Sequence, residues 1–136
     1  MAKNKKEAPS REDPDFEIQF LEGVLKASPN FVEALVNLGD LYTKQGFYEK
    51  GLSVDLKLAM LKPEDPIVLY NLACSYSLIH DLEKSLKVLK AAIKQGYCDF
   101  DHLEQDADLI NLRQFPAFKS FLVEIKAKAK APSLKE

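Results

Sequence analysis

The 136-residue chain has no tryptophan, five glycines and only two cysteines, Cys74 and Cys98. A chain of this length needs no covalent staple, so the scarcity of cysteine argues against a disulfide framework and for a reducing compartment. No apolar run approaches membrane-spanning length, and Met1 to Arg11 is polar and Lys-rich, without the apolar centre of a secretory signal. Asn-x-Ser/Thr acceptor sites are missing as well. The expectation is a cytoplasmic protein with no membrane contact. An excess of one charge is also lacking, the formal net charge being −2. Nucleic acid draws a basic excess or stripe, so it is not an expected partner. There is no Gly-rich phosphate loop and no Ser or Cys nucleophile elbow, so neither an enzyme nor a cofactor is expected.

What the chain does have is 46% apolar and 29% charged residues, enough for one core beneath an ordinary polar surface, hence one domain. Residues 1–12 and 127–136 are polar and depleted in apolar side chains, and both read as disordered tails. Between them the apolar spacing is helical throughout, with no strand signal. Asp13-Pro14 places a cap before a proline at a first helical position, and Phe16, Phe20 and Val24 with Leu21 and Leu25 extend the helix to Ser28-Pro29. Asn30 with Glu33 reads as a capping box for the next helix, which carries Leu35, Leu38, Gly39 and Tyr42 and ends at Gly46. Its return helix runs through Tyr48, Leu52, Leu58 and Leu61 to the break at Lys62-Pro63-Glu64. Asp65-Pro66 then begins again, with Leu69, Leu72, Ala73 and Tyr76, a turn at Ile79-His80-Asp81, and Leu82, Leu86, Leu89 and Ile93 before Gly96. Asp99 to Asp108 holds five acidic residues and neither Lys nor Arg, and is too irregular for a third hairpin. Pro116 opens a last helix with Phe118, Phe121, Leu122 and Ile125 on one seam.

One period organises these elements. Asn37-Leu38-Gly39-Asp40-Leu41-Tyr42 returns as Asn71-Leu72-Ala73-Cys74-Ser75-Tyr76, and Pro29 and Pro63 are also 34 residues apart. Leu35, Leu38-Gly39, Tyr42, Gly51 and Pro63, with Leu69, Leu72-Ala73, Tyr76, Ser85, Leu89 and Ala92, resemble the tetratricopeptide repeat (TPR). The pattern is broken by Asp55 and Leu58 in the first unit and by Tyr97 in place of the closing Pro in the second. The stretch from Gly96-Tyr97 through Asp106-Ala107-Asp108-Leu109 and Leu112-Arg113 to Phe118 resembles the ending that follows the last repeat in many bacterial members of that family, which suggests a bacterial origin. The resemblance implies an all-α, short right-handed solenoid of antiparallel helix hairpins. Its parts would be a half-repeat at 13–29, repeats at 30–63 and 64–97, and a capping segment at 98–126. Small residues at Gly39 and Ala73 are expected where helices cross closely, with Gly51 and Ser85 opposite.

Repeat arrays commonly present a concave face to another molecule. In this family the first helix of each hairpin lines that face, which assigns the groove to Glu33, Val36, Asn37, Asp40, Thr43 and Lys44 from one unit and to Ile67, Tyr70, Asn71, Cys74 and Ser77 from the next. The groove would receive an extended peptide or a helix, with Asn37 and Asn71 bonding its backbone; the opposing expectation is that the acidic segment or last helix covers the face. Val36 and Asp40 stand where a chaperone-tail carboxylate clamp would carry Lys and Asn, and Ile67 offers no charge, which argues against a free carboxylate as ligand. Cys98 and His102 are four residues apart and Cys74 and His80 six, and neither spacing makes a zinc site. Asp55 falls on the stripe facing the next hairpin and should be satisfied by the hydroxyl of Tyr70 or Tyr76, or sit at the helix edge. The expected protein is a non-enzymatic adaptor that binds a protein or peptide. The alternative is a self-assembling subunit, monomeric or weakly homo-oligomeric, that uses the exposed ends of the array.

Overall fold

The computed structural model describes residues 13–130, except for the side chain of residue 130, and contains no strand within them. Of the tails expected at 1–12 and 127–136, residues 1–12 and 131–136 lie outside the described residues. Helix α1 spans Pro14–Ala27, α2 Val32–Lys44, α3 Tyr48–Leu61, α4 Pro66–Leu78 and α5 Leu82–Lys94. The short α6, Phe100–Gln105, is followed by a 3-10 turn at Ala107–Leu109, then α7, Ile110–Arg113, and α8, Pro116–Lys130. α8 therefore continues four residues past the boundary expected at 126. The chain divides between Pro63 and Glu64 into two compact units, and the division falls at the Pro-marked end of the first repeat.

Within the first unit, α1 and the α2–α3 hairpin enclose Ile18, Leu38 and Tyr42, with Leu21, Leu25, Leu41 and Val54 against them. Asp13 caps α1 by accepting from the Asp15 amide. The capping box expected at Asn30 does not form. α2 begins two residues later, and its N-cap is Phe31, which has no side-chain hydrogen bond to offer. Gly46 closes α2 at φ +84°, a left-handed turn that glycine adopts without strain. A Cβ at Gly51 would lie 2.9 Å from Thr43 Oγ1 and 3.7 Å from the Gly39 carbonyl oxygen, so the helices do cross closely at these small residues. Asp55 is buried in this interface, its Oδ1 3.1 Å from where a Gly39 Cβ would be, and not at the helix edge.

In the second unit α4 and α5 make the same hairpin. Asp65 caps α4 through the Ile67 and Val68 amides, and Asp81 caps α5 through the Lys84 amide. Ser85, opposite Ala73, is buried and donates its hydroxyl to the Ala73 carbonyl at 2.7 Å. His80 occupies the turn at φ +66°. The hairpin is closed by the chain that follows it. Leu103, Leu109 and Leu112 are fully buried and Phe118 almost so, each contributing about 2 kcal/mol by leaving water.

Candidate interaction surface

The 34-residue register puts each outward position of α2 in correspondence with one of α4: Glu33 with Ile67, Val36 with Tyr70, Asn37 with Asn71, Asp40 with Cys74 and Thr43 with Ser77. The two faces have different fates. On α4, Ile67 is 56% exposed and Asn71 is exposed, whereas Tyr70, Cys74 and Ser77 are buried. These three therefore do not line an open groove, and the covering of this face by the acidic segment is what the structure contains. Tyr97 stacks on Tyr70 with ring centroids 4.3 Å apart. Asp106 then reaches in. Its Oδ2 accepts from Tyr70 Oη at 2.6 Å and Cys74 Sγ at 3.7 Å, and lies 3.2 Å from His102 Nε2. Its Oδ1 caps the 3-10 turn through the Asp108 amide, and its carbonyl accepts from Arg113, which also donates to the Leu103 carbonyl. One turn further on, the Leu112 amide donates to Ser77 Oγ at 3.2 Å and Asn111 Nδ2 donates to the Ser77 carbonyl at 3.0 Å.

This arrangement is a peptide docked on a helix, supplied by the same chain. A carboxylate takes the Tyr hydroxyl, a main-chain amide takes the Ser hydroxyl, and an Asn amide takes a main-chain carbonyl. Burial, reinforced by the neighbouring thiol and carboxylate, pushes the Tyr70 hydroxyl far up, and burial followed by the Asp106 and Asp108 charges does the same to the Cys74 thiol. Both groups keep their protons at neutral pH, so Cys74 is a hydrogen-bond donor here rather than a nucleophile. The hydroxyl of Tyr70, one of the two expected to serve Asp55, thus donates to Asp106. Ligand atoms of Cys74, Asp106 and Asp108 lie within 4.8 Å of one another, a grouping absent from the sequence spacings, but Asp106 Oδ2 already receives two donors.

On α2 the corresponding positions face outward. Val36 is 43% exposed, and Glu33, Asn37, Asp40 and Lys44 are exposed, while Thr43 is half-buried over Gly51. Asp40 and Lys44 form an exposed i,i+4 ion pair at 3.0 Å, worth only about 0.5 kcal/mol. The hydroxyl position that receives an amide on α4 is kept on α2 as Thr43, while Tyr70 and Cys74 are exchanged for Val36 and Asp40. Sequence reasoning missed Asp106, Asn111 and Arg113, whose roles come from contacts outside the repeat period. The signal available was the acidic, cation-free composition of Asp99 to Asp108 next to buried Tyr70 and Cys74.

These hairpins and their register define a TPR-like helical repeat fold. The chain is similar to the crystal structure of MamA, with a TM-score of 0.60 and 28% identity over 63% of this chain and 50% of that one. It is also similar to the MamA RS-1 ArsTM double mutant, with a TM-score of 0.59 and 19% identity over 89% of this chain and 70% of the other. Among curated proteins it is 34% identical over 84 residues to a chloroplastic protein of Arabidopsis thaliana. That match takes in 60% of this chain and 25% of the plant protein, so the chain spans about a quarter of the length of this relative. No family model matches the chain. The bacterial origin expected from the C-terminal ending has no support from the plant relative. None of the described helices is long and apolar enough to cross a membrane.

Proposed function

We propose that the protein is a non-enzymatic interaction module that docks a partner segment on the outward face of α2. The observation that carries this reading is the Asp106–Leu112 segment seated on α4, since the same register on α2 remains exposed at Val36 and Asp40. The partner would place an apolar side chain on Val36 and a main-chain amide near Thr43, with its backbone bonded by Asn37. Where the chain's own segment offers Asp106, Asp40 calls for a cation instead, because two carboxylates facing one another repel. Glu33 adds to that preference and Lys44 limits it to one or two positive residues. Ile67 and Asn71 are exposed on α4 and could take part in binding of their own. Two free cysteines, one of them buried, support a reducing compartment such as the cytoplasm.

The test is selection of short peptides from a displayed random library on the intact chain, read against the Val36→Arg/Asp40→Lys variant. Both positions are exposed, so helicity should be unchanged. Peptides enriched in Lys or Arg that lose at least about tenfold in affinity on the variant, roughly 1.4 kcal/mol, would support the reading. Equal binding to both forms would refute it.

A further inference from the structure

Helix α1 carries an apolar stripe that the described residues leave partly uncovered. Phe16 and Phe20 stack on it with centroids 6.5 Å apart, and Phe20 is 60% exposed. A Cβ built at Gly23, one turn on, meets nothing within 4 Å. The repeat register shows what the stripe is for. Phe20 is 34 residues before Val54, and Val54 packs on α2, its Cγ1 3.3 Å from where a Gly39 Cβ would be. Phe20 therefore stands at the position with which a hairpin's second helix receives its first helix. The stripe is bordered by the exposed acids Asp15 and Glu17.

At the other end of the sequence, α8 has the complementary character. Val123 is 69% exposed, the second-highest value among the described large hydrophobic residues after Met60. Lys119, one turn before it, is exposed, and Lys126 and Lys128 make the helix basic against Glu124. Lys126 is tied to Glu104 at 2.6 Å, which leaves Lys119 and Lys128 for an external acid. The polar residues 1–12 offer little apolar area to match Phe16 and Phe20.

We infer that the acidic, Phe-lined face of α1 is the docking seat for α8 of a second copy, so that copies join head to tail. This contact uses neither α2 nor the covered face of α4, and it stands or falls independently of the proposed peptide site. Each copy offers both an α1 seat and an α8, so assembly can continue beyond the dimer unless two copies exchange the contact reciprocally. Because acid meets base at exposed positions, it should weaken with salt.

The experiment is sedimentation velocity with light scattering on the full chain over a wide dilution series, with two variants that alter only exposed positions. One carries Glu17→Lys and Phe20→Lys on α1; the other carries Lys119→Glu and Val123→Glu on α8. Circular dichroism confirms the fold of each. The expected result is an average mass that rises with concentration above that of the monomer for the parent chain, monomers for either variant alone, and recovered association when the two variants are mixed. A parent chain that stays monomeric throughout would overturn the inference. So would continued association of the α8 variant alone, which would indicate an α1–α1 contact, or a mixture that fails to associate.

Discussion

The two hairpins follow one template at a spacing of 34 residues, yet they differ at nearly every position where a helix needs help. At the N-caps, the second hairpin has Asp65 and Asp81, each bonded to helix amides, and the first has Phe31 and Phe47, which bond none. The backbone hardly differs: Phe31 sits at φ −73° and ψ 102°, Asp65 at φ −85° and ψ 114°. At the turn, Gly46 corresponds to His80; at the helix crossing, Gly51 corresponds to Ser85. On the outward face, Val36 and Asp40 are exposed where Tyr70 and Cys74 are covered. In the second hairpin Tyr70, Ser77 and Ser85 are hydrogen-bonded and the outward face is closed by its own chain. The first keeps apolar and charged groups outside, with Phe31 and Phe47 each 46% exposed. A template can thus be completed internally in one copy and left for a partner in the next.

The hardest test of this contrast removes the carboxylate that closes the second hairpin. Asp106→Ala should lower stability by about 3 kcal/mol, since hydrogen bonds to a charged acceptor contribute roughly 1.5–3 kcal/mol each and their loss leaves Tyr70 and Cys74 without this acceptor. Asp40→Ala on the open face should stay within about 0.5 kcal/mol. Urea unfolding of the two variants measures both, and equal losses would break the comparison. The helix crossings come next. Gly51→Ala should cost roughly 1–2 kcal/mol because its Cβ meets Thr43 Oγ1 at 2.9 Å. Adding Thr43→Ala removes that atom and should reverse the sign, leaving the gain of about 1 kcal/mol that alanine has over glycine in a helix.

Exchanging the caps sharpens the comparison further. Phe31→Asp should stabilise the first unit by about 1 kcal/mol and Asp65→Phe should cost the second a similar amount, both read from thermal unfolding. The turns give the smallest effect. His80→Gly should gain at most about 1 kcal/mol by relieving the left-handed conformation, less whatever the 3.3 Å contact with Asn111 contributes. If His80→Gly is destabilising, that contact holds the covering segment in place more firmly than the turn strain opposes it.

Much of this is legible in the sequence alone. The period, the Asp-Pro caps at Asp13 and Asp65, the glycine turns at Gly46 and Gly96 and the small residues at the crossings are local signals whose physics acts within one or two turns. Asn30 misleads because a capping residue one position early is outweighed by the 34-residue geometry that starts α2 at Val32. The groove is half legible for a different reason. Tyr70, Cys74 and Ser77 have the same outward register as the α2 residues, and only contacts from residues 32 to 36 positions further along the chain decide that they are covered. Nothing periodic marks Asp106. Asp55 shows the converse, a carboxylate whose placement against Gly39 follows from the register although its residue type breaks it.

The docked Asp106 segment also acts as a stopper: while Tyr97, Asp106 and Leu112 sit on the outward face of α4, no other helix or peptide can take that seat. Any cut or frameshift after Gln95 would uncover Tyr70, Cys74 and Ser77 together and leave an adhesive face in place of a closed one.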